Sequence, residues 1–95
     1  MTSNDLLNVN AGELERVGNN FVTCGTSLQD VLTRVRSDVQ NLTSTFQGAA
    51  ASTFYTKMDT LSQQLQTLCE EINEMGGDLV STANLVRDVQ EQARR

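Results

Sequence analysis

Apolar residues recur at alternating three- and four-residue steps through most of this chain, in two runs separated by a short break. The first run is Leu14, Val17, Phe21, Cys24, Leu28, Val31, Val35 and Leu42. The rhythm lapses at Phe46-Gln47-Gly48 and resumes at Phe54. It continues through Met58, Leu61, Leu65, Leu68, Ile72, Met75, Leu79, Val86, Val89 and Ala93. That spacing is the seam of packed helices, and strands would alternate every second residue instead. The expected fold class is all-α: an antiparallel two-helix hairpin, with the two seams facing each other.

Helix boundaries follow from local chemistry. Asn10 followed by Glu13 has the form of a capping box, in which Asn10 caps open amides and Glu13 reaches back to the Asn10 backbone. This predicts helix 1 over about 11–43. Thr43-Ser44-Thr45 weakens the helix, Gly48 supplies freedom for a reversal, and Ala49-Ala50-Ala51 restarts helix 2, giving a corner at 44–48 and a second helix over about 49–93. Residues 1–9 read as an irregular arm, with Leu6, Leu7 and Val9 available to pack on the hairpin. The whole chain reads as one helical-hairpin domain. At about 1.5 Å per residue each helix is roughly 50–65 Å long, so the molecule is a rod.

The seams contain two irregularities of note. Asp38 occupies a seam position in helix 1 and Thr82 one in helix 2, which reads as packing compromise where a straight helix drifts from a strict heptad. Beside each seam lies a further stripe: Gly18, Gly25, Leu32, Val39 and Phe46 on helix 1, and Tyr55, Ser62, Cys69, Gly76 and Ala83 on helix 2. Seam plus stripe is wider than one partner helix can cover. The surplus predicts pairing of two hairpins into a four-helix-bundle dimer. With the corner at Gly48, Gly18 and Gly25 fall opposite the region of Gly76-Gly77 and Cys69. Two readings stand there: close approach of the helices, or a loosening of helix 2 at about 1 kcal/mol per glycine. Cys24 and Cys69 also come within a turn of each other, either as a disulfide in an oxidising compartment or as two buried free thiols.

Composition narrows function mainly by exclusion. There is no histidine, neither cysteine belongs to a CxxC pair, and the carboxylates fall mostly on outward helix positions. Nothing assembles a nucleophile, base and orienter, so no catalysis, cofactor or metal is expected. Net charge is −5 and the seven basic residues are scattered apart from Arg94-Arg95, against a nucleic-acid interface. No apolar run reaches membrane-span length, and the opening Met-Thr-Ser-Asn-Asp lacks the features of a Sec signal. Synthesis in the cytoplasm, without stable membrane insertion, is the expectation.

Phe46-Gln47-Gly48, with Ala50 and Phe54 behind it, lies midway between two long amphipathic helices in a chain of 95 residues. In this the chain resembles the WXG family, the ESAT-like small proteins of type VII secretion, with Phe46 standing where the tryptophan would be and Gly48 matching the glycine. Val9-Asn10 before Glu13-Leu14 is similar to the family's lead into its first helix. The resemblance implies a protein secreted or displayed through a type VII system, alone or escorting a partner. Its pairing partner would be a second copy or a paralogous hairpin. The implied recognition element is the corner Phe46-Gln47-Gly48, read by the system's membrane-bound ATPase, and the seam residues would make the dimer. The family's C-terminal Tyr-x-x-x-Asp/Glu is missing around Leu85–Glu91, and the literal match Tyr55-Thr56-Lys57-Met58-Asp59 lies at the wrong end of helix 2. A partner then carries the tail signal, or a divergent one near Leu85–Glu91 serves. The alternative reading is a non-exported coiled-coil adaptor or assembly subunit docked on a larger helical protein. A secretion-needle subunit ranks last, because such hairpins often turn at a proline and this chain has none.

Overall fold

The computed structural model describes residues 7–94, and among these run two long helices, α1 over Ala11–Leu42 and α2 over Ala49–Ala93. They fold back on each other into a rod of 70 × 19 × 12 Å. Leu6, assigned to the packing arm, lies outside the described residues.

The N-terminus of α1 is fixed by Asn10, whose Oδ1 accepts the Glu13 amide at 3.0 Å. The reciprocal half of the expected capping box does not form. The Glu13 carboxylate instead pairs with the Arg16 guanidinium one turn on, which holds its carboxyl below the usual carboxylate range. Both groups are exposed, so the pair contributes little to stability. The cap is the larger contribution: Asn10→Ala is expected to cost about 1 kcal/mol, visible as a lower urea midpoint.

Helix α1 ends because three consecutive hydroxyl side chains take over its last carbonyls. Thr43 Oγ1 donates to Gln40 C=O (2.6 Å), Ser44 Oγ to Asn41 C=O (3.1 Å) and Thr45 Oγ1 to Leu42 C=O (3.3 Å). Short hydroxyl side chains compete with backbone amides for such carbonyls. Gly48 then turns the chain at φ 104°, a conformation only glycine adopts cheaply, and Ser52 N–H closes the first turn of α2 on Gly48 C=O at 2.9 Å.

The line of contact between α1 and α2 is not the pair of large apolar seams. It is the stripe of small residues, every seventh position: Ala11, Gly18, Gly25 and Leu32 on α1 against Ser62, Cys69, Gly76 and Ala83 on α2, all buried. Gly18 and Gly76 explain the choice. A Cβ on Gly76 would lie 2.6 Å from the Gly18 carbonyl oxygen, and a Cβ on Gly18 would lie 2.8 Å from that of Gly76. Each backbone occupies the space where the other's side chain would be, a separation suited to Cα–H···O=C contacts. A Cβ on Gly25 would collide with the Asn73 side chain, whereas at Gly77 there is nothing within 4 Å. Close approach therefore decides Gly18, Gly25 and Gly76, and Gly77 simply faces outward.

Larger side chains lock the register on either side of that line. Leu32 is only 2% exposed at mid-rod. Near the open end Ala11, Ala83 and Val86 form a core with Val9, Leu14 and Val89 packed against it. Gln90 Nε2 donates to Val9 C=O at 2.8 Å, and Arg87 pairs with Glu15 across the helices. Towards the corner, Arg36 Nη2 reaches Ser62 C=O at 3.3 Å. Leu7, expected to pack, is exposed.

The two cysteines are free, with Cys69 buried on the contact line and Cys24 exposed. The expectation of two buried thiols is corrected at Cys24, because its row of α1 lies beyond the contact line.

Candidate interaction surface and corner

The hand of the α-helix places the rest of the apolar residues. On both helices the residue three positions after a contact residue turns to one side of the line, and the residue four after turns to the other. In an antiparallel pair, flanks of the same helical hand fall on the same side of the hairpin. Phe21 follows Gly18 by three, and Leu79 follows Gly76 by three, so both lie on one face. Val22 and Val80 lie on the other. The surroundings of the two glycines agree, since a Cβ on Gly76 would meet Phe21 and Val22 and one on Gly18 would meet Leu79 and Val80.

The two seams read from the sequence thus lie side by side on one broad face, and they do not face each other. Val86 alone among those residues is fully buried. Leu14, Val17, Phe21, Leu28, Phe54, Met58, Leu65, Ile72 and Leu79 are half-buried, and Val31, Val35, Leu42, Leu61, Leu68 and Met75 are exposed. Asp38 and Thr82, the two irregularities, sit in the outermost rows of this face, with Asp38 in line with Val31 and Thr82 in line with Met75. No core is compromised by them.

The size of the face shows in whole-molecule quantities. The chain exposes 6723 Å², against about 5,400 Å² for a compact monomer of its mass. Its radius of gyration is 20.8 Å, against about 12 Å for a compact domain of 95 residues. Six large side chains between about a third and a half exposed, along both helices of this face, form the kind of patch that marks an interaction surface.

At the corner, Phe46, Phe54 and Tyr55 form a ring cluster. Their centroids are 6.1 Å apart for Phe46–Phe54, 6.1 Å for Phe46–Tyr55 and 5.6 Å for Phe54–Tyr55, all tilted or edge-on, the preferred aromatic geometry. Tyr55 Oη donates to Phe46 C=O at 2.7 Å, and Gln47 Nε2 to Thr43 C=O at 3.4 Å. Phe46, Gln47 and Gly48 all remain exposed. The corner is therefore a braced knob at the tip of the rod. Tyr55 was missed as part of it: the sequence pattern puts it first in the stripe beside the second seam and within a tail pattern at the wrong end of the helix, and its adjacency to Phe54 was the available signal.

An open groove of about 410 Å³ near the corner is lined by Arg36, Val39, Gln40, Thr43, Tyr55, Met58, Asp59 and Ser62. Among the described residues no three His, Cys, Asp or Glu side chains group to hold a metal, and no helix is long and apolar enough to cross a membrane.

Comparison with known families gives a match over residues 6–91 to WXG100, described as proteins of 100 residues with WXG. Comparison with curated proteins and with solved structures gives no match.

Proposed function

The chain belongs to the WXG100 family, and from that premise we propose that it is a small, non-catalytic partner protein of a type VII secretion system. It pairs through its broad apolar face with a second helical hairpin, and the four-helix body is exported or escorts its companion out. One observation carries the reading: the two apolar seams lie on one face, and the hairpin by itself leaves six of their large side chains exposed. Covering such a face is what a second hairpin does in a four-helix bundle. The braced corner, Phe46-Gln47-Gly48, is the element offered to the system's membrane-bound ATPase, since it lies exposed at the tip of the rod.

Two experiments test this. Deleting the type VII system removes the protein from the culture fluid; unchanged levels refute export by this route. At the corner, Phe46→Ala lowers export more than it lowers thermal stability, while Phe46→Trp, the residue typical of the family, preserves export. Parallel loss of export and stability in Phe46→Ala assigns the corner to folding alone. Gly48→Ala is a poorer probe, because at φ 104° any side chain is strained although the space is open.

The escort form of the reading has its own support. The segment Leu85–Glu91 has no tyrosine, so the tail pattern expected of an autonomous cargo is missing there, and Arg87 within it is engaged with Glu15. An adaptor that docks a larger helical protein without being exported uses the same face. It is distinguished by retention in the cell when the partner is secreted.

A further inference from the structure

The observed helix frame decides which charges border the apolar face. On α2 the outer border, every seventh residue alongside Leu61, Leu68 and Met75, is Lys57, Gln64, Glu71, Asp78 and Leu85. From Met58 to Val86 this helix carries five acids (Asp59, Glu70, Glu71, Glu74 and Asp78) and no lysine or arginine. On α1 the corresponding border next to Val31 is Asn20, Ser27 and Arg34. One border is acidic over two turns, and the other offers a single cation displaced towards the corner.

Two identical hairpins can stack face to face about two kinds of two-fold axis. With the axis along the rod, α2 of one copy covers α1 of the other. The Gly25–Asn73 and Gly18–Gly76 contacts set the levels, so Glu71 meets Ser27 and Asp78 lies within about a turn of Asn20. With the axis across the rod, α2 covers α2. Glu71 is the midpoint of Ala49–Ala93, so in full overlap it meets Glu71 of the copy, and Asp78 meets Gln64. In neither stacking do Glu71 and Asp78 meet a cation, since Lys57 of the same row falls opposite Asn41 in the first and Leu85 in the second, and in the second Glu71 meets its own charge. Like charges brought together at an interface select against the wrong partner, and opposite charges speed and orient the right one.

We infer that the apolar face is built for a different helical hairpin, one bordered by lysine or arginine opposite Glu71 and Asp78, and that a second copy of this chain is the disfavoured occupant. This rests on the reading of that face as the pairing surface and adds the partner's charge to it. The border acids contribute selectivity, while the apolar rows contribute the bulk of the affinity.

A charge-reversed copy of this chain serves as the probe. It carries Asn20→Lys, Ser27→Lys, Gln64→Lys, Glu71→Lys and Asp78→Lys, all at exposed helix positions, with circular dichroism to verify that it stays helical. It presents cations to the parent in either stacking. Sedimentation of the parent alone, the probe alone and an equimolar mixture, at low and raised salt, reads the three affinities. The mixed pair is expected to be at least about tenfold tighter than parent self-pairing at low salt, the gap narrowing as salt rises. Parent self-association as tight as the mixed pair overturns the inference and leaves the pairing face intact. A further arm adds Leu68→Glu and Met75→Glu to both chains. If the mixed pair survives these substitutions unweakened, or if parent and probe without them do not associate at all, the pairing-face reading itself is overturned.

Discussion

Gly76→Ala is expected to destabilise this protein, and Gly77→Ala, one residue away in the same helix, to stabilise it. In an exposed helix interior the exchange of glycine for alanine is favourable by about 1 kcal/mol. At Gly77 nothing lies within 4 Å of the added Cβ, so that gain is realised in full, raising the melting temperature by roughly 4–8 °C for a domain of this size. At Gly76 the same Cβ falls 2.6 Å from a backbone oxygen of the opposite helix. A backbone atom cannot rotate away as a side chain can, so the helices must part along their line of closest contact. Overpacking of this kind costs about 1–3 kcal/mol, which overtakes the helix gain. Gly76→Val adds two more atoms at the same point and should lose about 3 kcal/mol, enough to threaten a hairpin with a single contact line. Gly18→Ala behaves like Gly76→Ala, since the contact is reciprocal. Thermal melts of the four variants check this, and a common sign for Gly76→Ala and Gly77→Ala would show that the helices do not meet at these glycines.

Leu68→Glu with Met75→Glu should have the opposite character: little effect on the hairpin and a large one on its pairing. Both side chains are 43% and 53% exposed in the single chain, so replacing them removes little buried area within it. In a paired state they are covered at mid-length of the face, where burying a large apolar side chain contributes about 1.5–3 kcal/mol. Two such losses, with two carboxylates to desolvate, weaken association by a factor of roughly 1,000. Helix content by circular dichroism stays near that of the parent, while complex formation in sedimentation and export in culture both fall. Leu32→Ala provides the contrast. Leu32 is 2% exposed, and its truncation costs about 2–4 kcal/mol of hairpin stability before any partner is considered. If the double Glu variant melts as early as Leu32→Ala, the face belongs to the core of the single chain and the pairing argument fails.

What could be read from the residues, and what could not, divides along physical lines. The helical class followed from the three-four rhythm, the absence of proline and the restart at Ala49. The likeness to the WXG proteins followed from Phe46 and Gly48 at the middle of the chain. The cap at Asn10 was legible, but the fate of Glu13 was not, because Arg16 offered a charged partner at i+3 and outcompeted a backbone amide. The frame of the helix contact was misassigned by one row on each helix. The rows Leu14-Phe21-Leu28-Val35-Leu42 and Met58-Leu65-Ile72-Leu79-Val86 belong to both possible frames. The second row of each frame decides between them, and hydropathy favours Val17-Cys24-Val31 and Leu61-Leu68-Met75 over stripes rich in glycine, serine and alanine. Asp38 and Thr82 were the clue, since a true core row would not carry them.

By itself, then, the order of residues determined that this chain is two amphipathic helices joined at a glycine corner, because periodicity and local hydrogen-bonding chemistry act within a few residues. Only the tertiary structure decided which side of each helix faces inward. That choice depends on how closely two backbones can approach, a property of pairs of residues such as Gly18 and Gly76 that lie far apart in the chain and have almost no transfer energy of their own. Once those backbones meet, the large apolar rows are turned outward onto one face, with Glu71 and Asp78 along its edge.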